Sequence, residues 1–213
     1  MDSHHKINKY LLSDPEVLSL ITRMQSPARF VSVSLILASL FISFVLHGQG
    51  WLQYLSNVLL LIGFILFVLN RAHFRFRQRI IRPQPGQFYS PVTGKLISIE
   101  TQNRLIHIQK SRFDHVEIRC PADGSQWQDG SLIVPFQQDS IRIWFQAKKL
   151  IGIEAAEMKA GEVIALMIGS GSCVISMPQN MEIDVQIAEK VFAGESEILD
   201  SGLTDDNNPK EVE

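Results

Sequence analysis

The chain has 213 residues, 46% of them hydrophobic and 20% charged, with 20 Lys and Arg against 22 Asp and Glu and a formal net charge of −2. That balance excludes a nucleic-acid binder working through a broad basic surface, and the length suits one folded domain plus a membrane anchor. Two cysteines without Cys-x-x-Cys spacing, and scattered histidines, give no zinc-site pattern; in a cytoplasm-facing domain Cys120 and Cys173 are expected to be reduced and buried.

Residues 1–29 read as a cytoplasmic N-terminal segment with one short helix. Ser13 is the expected N-cap and Pro15 falls early in the helix, with Val17, Leu18, Leu20, Ile21 and Met24 at helical spacing. Phe30 to Leu46 and Leu52 to Leu69 are uncharged and apolar, each close to the ~20 residues that cross a bilayer core. The short Gly-rich connection His47 to Trp51 between them makes residues 30–70 a transmembrane hairpin. Arg23 and Arg29 precede the first span, Arg71, Arg75, Arg77, Arg79 and Arg82 follow the second, and the loop carries no Lys or Arg. The positive-inside rule then predicts both termini in the cytoplasm, as in a protein of a bacterial inner membrane. The late start of the apolar run, with no small-residue cleavage site after it, argues against a signal peptide.

Residues 71–87 are a basic linker, either a topology signal or a collar for anionic headgroups. From 88 to 199 short apolar or alternating runs stand between Gly, Pro and Asp turns: KLISIE, RLIHIQ, HVEIRC, SIRIWF, VIALMI, CVISM and EIDVQIA. They predict a mainly β domain, a compact antiparallel barrel or sandwich, with no long helix. Residues 200–213 are polar and acidic, a tail expected to be disordered. His107 reads as a solvated strand residue, Trp127 and Trp144 as packing residues, and Lys148 and Lys149 as a solvated turn. Asp114 and Asp123 have the sequence context of turn caps.

Two echoes run through the β region. Ser90-Pro91-Val92-Thr93-Gly94 recurs as Cys120-Pro121-Ala122-Asp123-Gly124, and Lys159-Ala160-Gly161-Glu162 as Phe192-Ala193-Gly194-Glu195. Repeated turns of this kind suit equivalent hairpins of a barrel or sandwich. They also suit a lipoyl- or biotinyl-like domain, but Lys159 is followed at once by the Ala-Gly-Glu turn instead of standing on a hairpin tip. Between VIALMI and CVISM lies Gly169-Ser170-Gly171-Ser172, which reads either as a tight turn or as a serine aimed at its own backbone.

In order along the chain, the hairpin, FRFRQR, SPVTGKL (90–96), SRFDHVEIRCPADG (111–124), GSCVISMP (171–178) and IAEKVFAGESEIL (187–199) resemble the phosphatidylserine decarboxylase proenzymes, especially the short forms with a membrane hairpin. The resemblance covers Phe30 to Leu199. It implies that a serine attacks the carbonyl of the preceding glycine and that β-elimination cleaves the ester. The serine is left as a pyruvoyl group, whose ketone takes the amine of a serine phospholipid and drains electrons as carbon dioxide leaves. The implied bond is Gly171–Ser172, since Cys173-Val174-Ile175 stand where the family has Thr-Val-Ile; Ser170 is the second candidate. Implied catalytic residues are Ser172, His115 and Asp114. The implied cofactor is the pyruvoyl group made from Ser172, and the implied partner is a membrane phospholipid. The chain would persist as a self-cleaved pair of fragments, with a homo-oligomer also open.

This sequence departs from the family at Thr93, where the family has Asp, and at His115, one place before the family's His. The stretch 125–149 is shorter and lacks the family's Asn-Glu-Arg segment. The alternative reading is accordingly an uncleaved, catalytically degenerate membrane-anchored β module that binds lipid or a protein partner.

Overall fold

The computed structural model describes residues 10–12, 15–45, 50–81, 83, 87–136, 139–153, 158–178, 182–183 and 185–200. They fall into two compact units, the first spanning 14–76 and the second 77–213 together with 1–13.

The first unit is a pair of helices, α1 (Pro15–Val45) and α2 (Gly50–His73), both long and apolar enough to cross a membrane. The expected short N-terminal helix and the first span are one continuous helix, α1, which runs through Pro27. The expected cap, Ser13, lies outside the described residues. Large apolar side chains such as Phe30, Leu37, Phe41, Phe44, Tyr54, Leu61 and Phe64 point outward, while the buried residues of the two helices are polar or small (Gln25, Ser32, Ser39, Ser56, Gly63 and Asn70) apart from Val17 and Ile21 near the start of α1. Ser39 and Ser56 each donate to the other's carbonyl at 2.8 Å. Farther along, Gln25 donates to Phe74 O at 3.2 Å and Asn70 to Gln25 O at 3.4 Å. At Gly63 the helices come so close that a Cβ would lie 2.9 Å from Ile36 Cγ1. Small residues and interhelical hydrogen bonds are what hold apolar helices together where no hydrophobic difference exists between helix and surroundings.

The second unit is β throughout its described residues. Its strands are β1 (Tyr10–Leu12), β2 (Arg79–Ile81), β3 (Phe88–Tyr89), β4 (Gly94–Glu100), β5 (Leu105–Lys110), β6 (Glu117–Arg119), β7 (Gln126–Gln128), β8 (Ser131–Phe136), β9 (Asp139–Gly152), β10 (Val163–Ser176), β11 (Glu182–Ile183), β12 (Lys190–Val191) and β13 (Glu197–Asp200). All pairings are antiparallel. The main sheet runs β12-β4-β5-β10-β9-β8-β7, with β6 also on β10; β11-β13-β3 form a second sheet and β1-β2 a third. Strand β10 is the spine: β9 covers one edge, while β6 and then β5 cover the other.

The mainly β, antiparallel expectation holds, but the main sheet is not closed into a barrel. Its path ends at β7, of three residues, and β12, of two, ladders too short to carry a closing seam. The main and three-stranded sheets instead share one core, in which Phe88, Ile198 and Leu199 pack with Leu96, Ile106, Ile108, Ile143 and Ile175. VIALMI and CVISM, read separately from sequence, form the single strand β10. Lys148 and Lys149 lie within β9 instead of in a turn, and the tail beyond Asp200 lies outside the described residues.

Candidate functional site

The two echoes in the sequence meet in space, pair by pair. In the first copy, Gly194 N donates to Ser90 O at 2.8 Å and Ala193 N donates to Thr93 Oγ1 at 3.1 Å. In the second, Gly161 N donates to Cys120 O at 2.8 Å and Ala160 N donates to Asp123 Oδ1 at 2.8 Å. Each Pro-x-[Thr/Asp]-Gly turn therefore holds the amides of one Ala-Gly-Glu turn, and the Thr or Asp of the motif supplies the side-chain acceptor. Gly94 is required at its position, because a Cβ there would lie 2.7 Å from Gln109 O.

Thr93, which is buried, also lies 3.5 Å from His115, Oγ1 to Nδ1. The two positions at which the chain departs from the resemblance, Thr93 and His115, thus lie side by side. Asp114 does something else: its carboxylate accepts the Ser111 amide at 2.7 Å, closing the turn after β5, and pairs with Lys190 Nζ at 3.0 Å.

Ser172 lies inside the β10 ladder. Its neighbours across the strands are Gln109 on β5 and Gln146 on β9. Cys173 and Ile175 are buried, so alternation puts Ser172 on the opposite, half-exposed face. Gly171 is hemmed in: a Cβ would meet Gln146 O and Met167 Sδ at 2.6 Å each. The preceding pair is different. Pairing with β9 skips from Ile168 to Gly171, and Gly169 has φ +84°, so Gly169 and Ser170 form a β-bulge of the kind that begins with a left-handed glycine. The expected turn is a bulge in an unbroken strand.

Lys110 was not singled out from sequence. It is the last residue of β5, 1% exposed, and its Nζ donates to Gly169 O at 2.7 Å, with Ser111 O at 3.3 Å and Asp114 O at 3.5 Å. Burial pulls its pKa below that of an ordinary lysine, while Asp114 and Glu117 pull it back up. The ammonium thereby ties the 111–114 turn to the Gly-Ser bulge. The β6–β10 ladder, extended by Met167 N donating to Val116 O at 2.7 Å, carries His115 and Asp114 toward Ile168 and Gly169.

A buried ionic layer was also invisible in the sequence. Arg119 donates to Gly161 O and Arg77 O at 2.8 Å each. Glu117 accepts the Arg77 amide at 3.3 Å, and burial pushes its carboxyl up to about 7 against the pull of Arg119. Arg77 also pairs with Glu195 and lies over the Phe192 ring, 4.8 Å from its centroid. In an alternating strand these residues look like ordinary surface charges; burial on both faces of β6 is a tertiary fact.

Both cysteines are free and buried; desolvation pushes Cys120 up to about 11 and raises Cys173 as well, so neither is a ready nucleophile. Trp127 packs on the core beside Phe145, and His107 pairs with Glu100 at 3.1 Å. Among the described residues no group of His, Cys, Asp and Glu is arranged to hold a metal ion. Comparison with family models, curated proteins and solved structures gave no match to this chain.

Proposed function

We propose that the chain is a membrane-bound phosphatidylserine-decarboxylase-like protein that processes itself within Gly169–Ser172. In this reading it converts a serine phospholipid to the corresponding ethanolamine phospholipid. The observation that carries the proposal is the meeting at Thr93 of three segments on which the resemblance rests: SPVTG through Thr93 itself, SRFDHVEIRC through His115, and the Ala-Gly-Glu turn through Ala193. Once formed, a pyruvoyl group supplies an electron sink for loss of carbon dioxide. The chain's own residues fit its formation in one respect that sequence does not show: the Gly-Ser segment contains a bulge, where a serine and the carbonyl before it stand outside regular pairing on the β9 side.

Both termini and the β domain are assigned to the cytoplasm, in a bacterial inner membrane, with the basic segment 71–82 facing anionic headgroups except at Arg77, whose guanidinium pairs with Glu195. Tethering suits a substrate that never leaves the bilayer, because it raises the effective concentration at the site. The test is conversion of phosphatidylserine to phosphatidylethanolamine by the full chain in detergent–lipid micelles. Turnover together with a two-band protein supports the proposal; a single uncleaved band with no turnover overturns it.

The second reading, an uncleaved lipid- or partner-binding module, is favoured by one observation: the side chain at position 93, which lies beside His115, is a hydroxyl where the resemblance implies a carboxylate. Thr93→Asp separates the two. Processing that appears or accelerates in this variant assigns the loss to that side chain, whereas an inert variant favours the binding module.

A further inference from the structure

We propose that the self-processing bond is Gly169–Ser170 and that the Lys110 ammonium is the catalytic residue that stabilises its oxyanion. The inference rests on the self-processing reading above and identifies which peptide bond reacts and which side chain acts on it.

The two Gly-Ser bonds of the segment have unlike surroundings. Gly171 and Ser172 are paired on both sides, with Lys110 and Gln109 on β5 and with Ala147 and Gln146 on β9. A peptide fixed in two ladders resists the pyramidal geometry that attack on its carbonyl requires. Gly169 and Ser170 lie in the bulge, opposite the β9 step between Lys149 and Ala147, with Gly169 in the left-handed region that glycine adopts without strain and Ser170 exposed. Outside the regular β9 pairing, this peptide can pyramidalise without breaking a second ladder.

The carbonyl that Ser170 Oγ would attack is that of Gly169, and it is this oxygen that Lys110 Nζ holds at 2.7 Å. Burying an ammonium is costly, and three carbonyl oxygens could be tied together by a neutral donor without that cost. A charge at this atom has a use beyond the resting fold. When the carbonyl becomes tetrahedral its oxygen takes up negative charge, and a preorganised, desolvated cation stabilises that state far more than the ground state.

The atoms balance as follows. Ser170 Oγ bonds to the Gly169 carbonyl carbon through a five-membered ring, and the C–N bond breaks. The hydroxyl proton ends on the Ser170 nitrogen, leaving an ester and a free amine. Loss of the Ser170 α-proton expels the Gly169 carboxylate and leaves an enamine, which tautomerises to an imine. One water then releases ammonia and leaves the keto group on the fragment that begins at 170.

The experiment is intact mass spectrometry of the membrane-extracted full chain, with Ser170→Ala, Ser172→Ala, Lys110→Met and Lys110→Arg alongside. Expected are fragments ending at Gly169 and beginning at position 170 with a ketone that carbonyl reagents label. Ser170→Ala should remain full length and Ser172→Ala should still process. Lys110→Met should slow processing by about 100-fold or more, the scale of losing one oxyanion donor, and Lys110→Arg should process faster than Lys110→Met. Ends at Gly171 and 172 would overturn this inference and leave the decarboxylase reading intact. An unprocessed wild-type chain, with no hydroxylamine-sensitive ester, would overturn both. If Lys110→Met does not fold, the mapped ends in the wild type and the Ser170→Ala result still decide the bond, and processing at the wild-type rate in a folded Lys110→Gln would remove the lysine's role.

Discussion

Asp123 accepts the amide of Ala160 at 2.8 Å, and this bond is the twin of the one by which Thr93 accepts the amide of Ala193. The same position of a repeated turn thus uses a carboxylate in one copy and a hydroxyl in the other for the same structural purpose. Asp123→Thr should therefore cost less than Asp123→Ala, which removes a solvent-exposed hydrogen bond and should cost about 0.5–1 kcal/mol. Thermal or chemical unfolding of the two variants in the same detergent checks the order; equal losses would deny that the two turns are equivalent.

Glu117 should impose a pH dependence on stability. Its carboxyl is raised by desolvation from 4.5 to about 7 in the folded chain, so the folded state holds a proton that the unfolded state has already released. Its contribution is fully present below about pH 4.5 and is lost as pH rises through about 7, a change on the order of 3 kcal/mol. Glu117→Gln, which keeps the neutral shape, should flatten the stability profile across that window and leave the variant more stable than the parent at pH 8. Arg119 keeps its carbonyl partners Gly161 and Arg77 in this variant. An unchanged slope between pH 5 and 8 would refute the assignment.

The reciprocal bonds between Ser39 and Ser56 should stabilise the helical hairpin modestly. Double-mutant cycles on hydrogen bonds between membrane helices average about 0.6 kcal/mol with a maximum near 1.7. Ser39→Ala and Ser56→Ala should each lower hairpin stability by about that amount, with a coupling term in the double variant. Gly63→Leu should do more harm, since its Cβ would already meet Ile36 at 2.9 Å. Resistance of the hairpin to unfolding in mixed micelles measures all three.

The arginine asymmetry predicts that reporters inserted between residues 46 and 49 and at the C-terminus fall on opposite sides of the membrane, the C-terminal one in the cytoplasm. Reporters on the same side would end the two-span reading.

The hairpin and most strands of the β domain are legible in the sequence because each depends on local composition. Two uncharged runs of spanning length can only be helices if they enter a bilayer, and alternating or apolar runs between Gly, Pro and Asp turns can only pair as strands. The β7–β8 hairpin shows how local the rule is. It turns at Asp129-Gly130, with φ of +49° and +74°, the dipeptide that two-residue hairpins demand, and this signal could have been read directly. The paired echoes were also legible as text, but not that each Pro-x-[Thr/Asp]-Gly turn would grip one Ala-Gly-Glu turn. That contact joins residues 100 positions apart at Thr93 and Ala193. Only tertiary structure decided that the main sheet stays open, since closure depends on whether distant edges are long enough to meet. It also decided that Gly169–Ser172 is a bulge with two dissimilar Gly-Ser bonds, because a bulge is defined by the partner strand and β9 contributes one residue too few. Lys110 and Glu117 look like surface charges in their strands. They became a buried ammonium on Gly169 and a buried carboxyl beside Arg119 because distant segments close over them, the Gly169 carbonyl at Lys110 and the Arg77 backbone at Glu117; desolvation is set by what the fold packs around a residue, not by its neighbours in the chain.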